Sequence, residues 1–207
     1  MPISFTKQLA KNFPHLSRWT RRLGGLNTVP SSSQSTTDSD PSLANRIQWS
    51  HIPSGPEGTR QTLALMSRLA KTAVSDNDFV LWISQHLGSN PAIDVIDHFI
   101  RRNFRYRREN EEIVRTPQMM AETFNQNGFF DGDCDDVATL TAAILRVYGY
   151  PARFAAIRYD ASNPEFQHVY VESGPHSSFV YHPEYILDAT VAPGTHYNAI
   201  ERMTYAV

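Results

Sequence analysis

This chain of 207 residues has a single cysteine, and no run in it approaches the ~20 apolar residues needed to cross a bilayer. One cysteine excludes an internal disulfide framework and any multi-cysteine zinc site. An apolar signal core is missing from the N-terminal stretch, so the expectation is a chain that is not secreted. Acidic groups are missing from the first 37 residues, which carry Lys7, Lys11, Arg18, Arg21 and Arg22 before the first acid, Asp38. The rest holds 14 of the 19 basic and all 21 acidic residues, a net of −7 beneath a formal charge of −2 for the whole. A basic head on an acidic body predicts two segments with different jobs.

What is present is globular. Hydrophobic residues make up 41% and aromatics 11%, too much for a disordered chain. Residues 1–27 form the basic segment, with Phe5, Leu9, Leu16 and Trp19 among its charges and Pro14 interrupting any helix. Such a segment fits an anionic surface, nucleic acid, a protein assembly, an import sequence or a solubilising tail. Residues 28–44 contain TVPSSSQSTTDSDPS, too polar to bury, and read as a flexible linker. The folded domain is expected over 45–207.

Within it, apolar spacing predicts helices first. One starts at Pro56 and Glu57 and carries Leu63, Leu65, Met66, Leu69 and Val74; another follows Asp76 or Asp78 and stops at Gly88. A third, NPAIDVIDHFIRRNFRY, lines up Ile93, Ile96, Phe99, Ile100 and Phe104, and a short fourth runs from a Thr116 cap to Gly128. A fifth opens near Cys134, repeats Val137, Leu140, Ile144 and Val147, and closes at Gly149 and Pro151. Strand patterns then take over at 153–159, 166–172, 178–182 and 185–190. Helices followed by antiparallel strands make an α+β fold.

The cysteine stands in FFDGDCDDVATL, crowded by Asp133, Asp135 and Asp136. A core cysteine would have apolar neighbours, and these charges oppose a thiolate. Asp133 is expected to cap the fifth helix, which puts Cys134 in the first turn, where free N–H groups and the helix dipole favour a thiolate. A base is still needed, and a histidine is the usual one. Of eight histidines, His168 lies mid-strand, with Phe166 and Tyr170 on its face and Val169 and Val171 on the other, able to face a helix packed across the sheet. Asp188 ends an apolar strand, where an acid that orients a histidine has a place. His176, His182 and His196 lie in loops or near strand ends, and His182 is the best substitute base.

GDCDDVATLTAAILRVYGYPARFAAI, then HVYVE and ILDAT, together resemble the transglutaminase-like cysteine peptidase superfamily over roughly residues 95–190. RRNFRY and VRTPQMMAETF resemble the helical lead-in of its smaller microbial and bacteriophage members. The resemblance implies a papain-like or transglutaminase-like core with N-terminal helices before the sheet. It makes Cys134 the nucleophile, His168 the base and Asp188 the orienting acid. It also implies an upstream aromatic or amide at the oxyanion, with Tyr106 the best match and Asn125, Gln126 and Asn127 as alternatives. Tyr170 stands where many members have tryptophan.

Calcium held by Asp133 and Asp135 is a further implication, set against a plain helix cap at Asp133 and solvated Asp135; Asp136 is expected to turn to solvent or hold the helix start. The chemistry itself calls for no cofactor. The expected activity is hydrolysis of a protein or peptide substrate through a thioester, with amine transfer less favoured. The alternative is a non-catalytic structural or binding component of a larger, phage-type assembly, and a cytoplasmic or virion-associated place is expected over secretion.

Overall fold

The computed structural model describes residues 55–108, 113–174, 184–195 and 197–207. The chain divides into two units, Met1–Asp38 and Ser39–Val207. The basic head, the linker, the expected strand at 178–182, His176, His182 and His196 lie outside the described residues.

Among the described residues five helices and six strands follow in order: α1 Gly55–Val74, α2 Asn77–Leu87, α3 Ile93–Asn103, β1 Phe104–Tyr106, α4 Pro117–Asn127, β2 Phe130–Gly132, α5 Cys134–Val147, β3 Ala152–Arg158, β4 His168–Ser173, β5 Tyr185–Leu187 and β6 Glu201–Ala206. This is the α+β arrangement that the periodicities predict. Among the described residues, no helix is long and apolar enough to cross a membrane.

Local chemistry sets the boundaries. Asp76 caps α2 by accepting from the Asp78 and Phe79 N–H groups at 2.9 and 3.0 Å. Thr116 caps α4, and Gly128 ends it with φ +75°, a left-handed conformation that a β-carbon would disfavour. The third helix stops earlier than its apolar stripe predicts. Asn103 is its last residue, and Phe104–Tyr106 extends to pair in parallel with β2, Tyr106 opposite Gly132. Three apolar or aromatic residues in seven cannot distinguish one more helical turn from a short strand. Strands β1, β2 and β6 had no clear sequence pattern of their own.

The main sheet runs β5-β4-β3-β6, antiparallel throughout. Its two faces differ. Ala152, Phe154, Ala156, Val169, Val171 and Leu187 join the main core with the buried side of α5, including Leu140 and Ile144. The opposite face carries a smaller cluster of Ala155, Ile157 and Tyr170, with Tyr197 packed on it. His168 alternates with Val169 and therefore shares the Tyr170 face. The helix-facing side of β4 is thus Val169 and Val171, not the His168 side that was expected to meet a helix. The residues that pack well on a buried helix are the valines, so they win that face.

Charge is buried in the sheet as well. Glu172 is paired across the β3–β4 register with Arg153, at 2.6 Å, and also with Arg202 of β6. The arginine of PARF and the glutamate of HVYVE are thus one structural unit.

Candidate active site

Cys134 is the first residue of α5, half-buried, and enters directly from β2 through Asp133. Asp133 stands at the cap position with extended backbone, and its carbonyl accepts the first helical bond from Val137 at 3.3 Å. Its side chain makes no capping hydrogen bond, contrary to the sequence expectation, and its Oδ1 is buried with no hydrogen-bond partner among the described residues. Asp135 accepts the Asp136 N–H at 3.0 Å and is 5% exposed, so it is not the solvated acid expected.

Asp136 is fully buried rather than turned to solvent. It accepts the Arg115 backbone N–H at 2.7 Å, and the Arg115 guanidinium lies 3.9 Å from its other oxygen. A β-carbon on Gly132 would stand 2.4 Å from Asp136 Oδ2 and 2.8 Å from its Cβ. The glycine of GDCDD is there to admit that carboxylate. Sequence alone could not reveal this, because nothing near Asp136 in the chain announces Arg115.

The sheet edge supplies the other half. β5 pairs with β4 only from Val171 to Ser173. Beyond the end of β5 the Val169 N–H is directed at the Cys134 sulfur. The thiol therefore occupies the edge of β4 beside the residue that follows His168. Burial pushes the thiol up, and the carboxylates of Asp135 and Asp133 push it further, against the Val169 N–H. The helix start does not overcome these effects, so the resting group is a thiol rather than the thiolate that the helix position favours.

His168 Nε2 lies 2.5 Å from Asp188 Oδ2. Asp188 follows Leu187 of β5 directly and is 4% exposed. Its Oδ1 accepts from the Thr190 N–H at 2.9 Å and the Thr190 hydroxyl at 2.6 Å, which explains the threonine of DAT. Burial alone would raise this carboxyl, but the hydrogen bond and charge of His168, with Thr190 and Tyr197, hold it below the usual carboxylate range. Arg101 of α3 anchors the same turn by donating to the Val191 carbonyl at 2.7 Å while paired with Asp97. Among the described residues the thiol makes no hydrogen bond to the His168 ring.

Tyr106 is 57% exposed, on a strand rather than at the end of a helix. Its pairing with Gly132 brings it near the cysteine: burial, then the Cys134 and Asp133 charges, push its phenol up, opposed by Arg108. Asn125, one alternative, is engaged elsewhere, its oxygen accepting from the Trp82 indole at 3.0 Å. Gln126 and Asn127 are exposed at the end of α4. The residue that sequence reasoning missed is Tyr197. Its hydroxyl donates to Asp188 Oδ2 and lies 3.1 Å from His168 Nε2. It sits in an irregular connection with no periodic signal, so only the folded chain reveals it.

Asp133, Asp135 and Asp136 bring one oxygen each within 4.8 Å of one another. Oxygens so placed are donors of the kind a hard cation takes. Two of the three carboxylates already have internal partners, Asp136 on Arg115 and Asp135 on the Asp136 N–H.

Residues 85–185 match the family model of the transglutaminase-like superfamily. Among solved structures, the chain is similar to one from Cytophaga hutchinsonii named as a "Putative Cysteine Protease", with 20% identity, 60% of this chain and 37% of that one covered, and a TM-score of 0.37. It is also similar to one from Parabacteroides distasonis named as a "putative protease", at 14% identity, 72% and 30% coverage, and a TM-score of 0.34. The chain thus spans well under half the length of either, and neither likeness is close enough to carry an activity or a residue across. No curated protein matches the chain.

Proposed function

We propose that this transglutaminase-like domain is a cysteine peptidase or amidase working through a thioester, with Cys134 as nucleophile, His168 as base and Asp188 as orienting acid. The observation that carries it is the convergence at the open edge of β4: the His168–Asp188 pair and a thiol held by the next N–H in the strand. Nε2 is engaged by Asp188, which leaves Nδ1 as the nitrogen that can take a proton.

Because burial and two carboxylates keep the thiol protonated, deprotonation accompanies attack rather than preceding it. Sγ adds to the carbonyl carbon as its proton passes to His168. The oxyanion that forms is met by the Cys134 N–H, unpaired within the first turn of α5, and by the Tyr106 hydroxyl. His168 then gives its proton to the leaving amine, and water hydrolyses the thioester. Should Asp133 and Asp135 hold a cation, it would supply positive charge beside the sulfur.

The test uses the full chain with unstructured protein substrates and an electrophilic thiol probe. Cys134→Ala and His168→Ala should each abolish cleavage with the fold retained, and Asp188→Asn should cost less. Added primary amine should leave hydrolysis as the main outcome. A His168→Ala protein that still cleaves would overturn the assignment of the base. The raised thiol and its missing bond to the ring favour a second reading, a non-catalytic component of a larger assembly. That reading predicts no probe labelling specific to Cys134 at any pH at which the chain is folded.

A further inference from the structure

The His168–Asp188 pair has a third member, and its contacts are as direct as those within the pair. A carboxylate offers about four lone-pair sites. At Asp188, Thr190 fills two on Oδ1, and His168 and Tyr197 fill those on Oδ2. Tyr197 also reaches the imidazole itself, its oxygen 3.1 Å from Nε2 and its ring 5.4 Å from the His168 ring. On its other side it stacks on Tyr170, with centroids 5.2 Å apart and planes 11° from parallel.

We propose that Tyr197 is a positioning residue: its hydroxyl locks the Asp188 carboxylate in the one orientation that keeps the His168 Nε2–H aimed at it, so that Nδ1 stays free to accept a proton. This rests on the roles proposed above for His168 and Asp188. With Oδ1 tied to Thr190, the carboxylate can still swing Oδ2 about that anchor. The phenol blocks the swing by donating to Oδ2 from the sheet's Tyr170 face. Burial, then the hydrogen bond to Asp188 and its charge, push the phenol up, so it remains a donor at neutral pH. The groups that face His168 are Asp188 beyond β5, Tyr197 before β6 and Tyr170 on its own strand. Arg101 of α3 bears on Tyr197, and Glu172 and Arg202 bear on Tyr170.

Tyr197→Phe keeps the stacked ring and removes only the hydroxyl, and Tyr170→Phe serves as the packing control. In the full chain, 13C NMR follows the Asp188 carboxyl against pH, and 15N NMR reads the His168 tautomer. Tyr197→Phe should move the Asp188 midpoint upward and shift the ring from the Nε2–H form toward a mixture of tautomers. Turnover should fall roughly tenfold in kcat with KM unchanged, the worth of one hydrogen bond to a charged group.

Tyr170→Phe should leave the midpoint and the tautomer as they are. An unchanged midpoint and tautomer in Tyr197→Phe, or equal changes in Tyr170→Phe, would overturn the proposal. Should Tyr197→Phe not fold, the wild-type protein decides: the Tyr197 13Cζ signal must stay that of a neutral phenol until unfolding, and a titrating phenol overturns the role. The NMR arms do not involve the thiol, so they hold or fail whether or not Cys134 proves to be a nucleophile.

Discussion

The Asp136 carboxylate occupies the place where a side chain on Gly132 would stand, 2.4 Å from the position of its β-carbon. Because Asp136 is held by Arg115 and fully buried, neither partner can yield. Gly132→Ala should therefore destabilise the domain by about 1–3 kcal/mol, the usual cost of overpacking. Combining it with Asp136→Ala should cost less than the sum of the two, since each change removes the clash or the contact on which the other acts. Urea denaturation of the four proteins measures the coupling, and strict additivity would contradict the collision.

The Cys134 thiol should titrate above the ordinary free-cysteine value of ~8.5. Iodoacetamide labelling against pH should show its inflection there, because burial first, then Asp135 and Asp133, oppose the anion. Asp133→Asn removes one charge and keeps a good residue at the cap position, so it should lower the inflection. EDTA should change neither profile, given the internal partners of Asp135 and Asp136. A chelator that raised the inflection would place a cation at the three aspartates and reverse the sign expected for Asp133→Asn.

Asp188 gives a pH dependence of stability with a definite sign. Its carboxyl is lower in the folded chain than in the unfolded one, so its contribution is fully present above the unfolded value of ~3.9. That contribution disappears as pH falls through the folded value. Asp188→Asn should therefore narrow its stability gap from wild type on acidification below ~4. A gap that widens in acid, read from thermal melts, would contradict the lowered carboxyl.

Glu172 is 1% exposed between two arginines. Arg153→Ala leaves this carboxylate with Arg202 alone, whose side chain is partly exposed, and should cost on the order of 3 kcal/mol. Arg202→Ala should cost less. Denaturant midpoints for the two variants test the ranking. Equal losses would mean that solvent screens neither pair.

Much of this site was legible in the chain. GDCDD, HVYVE and ILDAT each carried residues that the fold brings together, because a helix start, a strand and a strand end leave local signatures. The helices with regular stripes were legible for the same reason. What stayed hidden depends on partners far away in sequence. For Asp136 the sequence left solvent and the helix start as alternatives and gave no sign of Arg115, and Tyr197 had no pattern to betray it. The face of His168 was misjudged because alternation says which residues share a side, not which side the helix takes. β1 was hidden because its partner, β2, is itself only three residues long.

The anchors of the site also set when it can form. Arg101 and Arg115 lie upstream of the cysteine, while Tyr197 lies more than sixty positions after it. Contacts so distant in sequence close slowly and together. A chain emerging from the ribosome would display its thiol long before Tyr197 exists to complete the arrangement around His168. The nascent polypeptide would then carry an ordinary free thiol, without the burial and the neighbouring carboxylates that raise it in the folded domain.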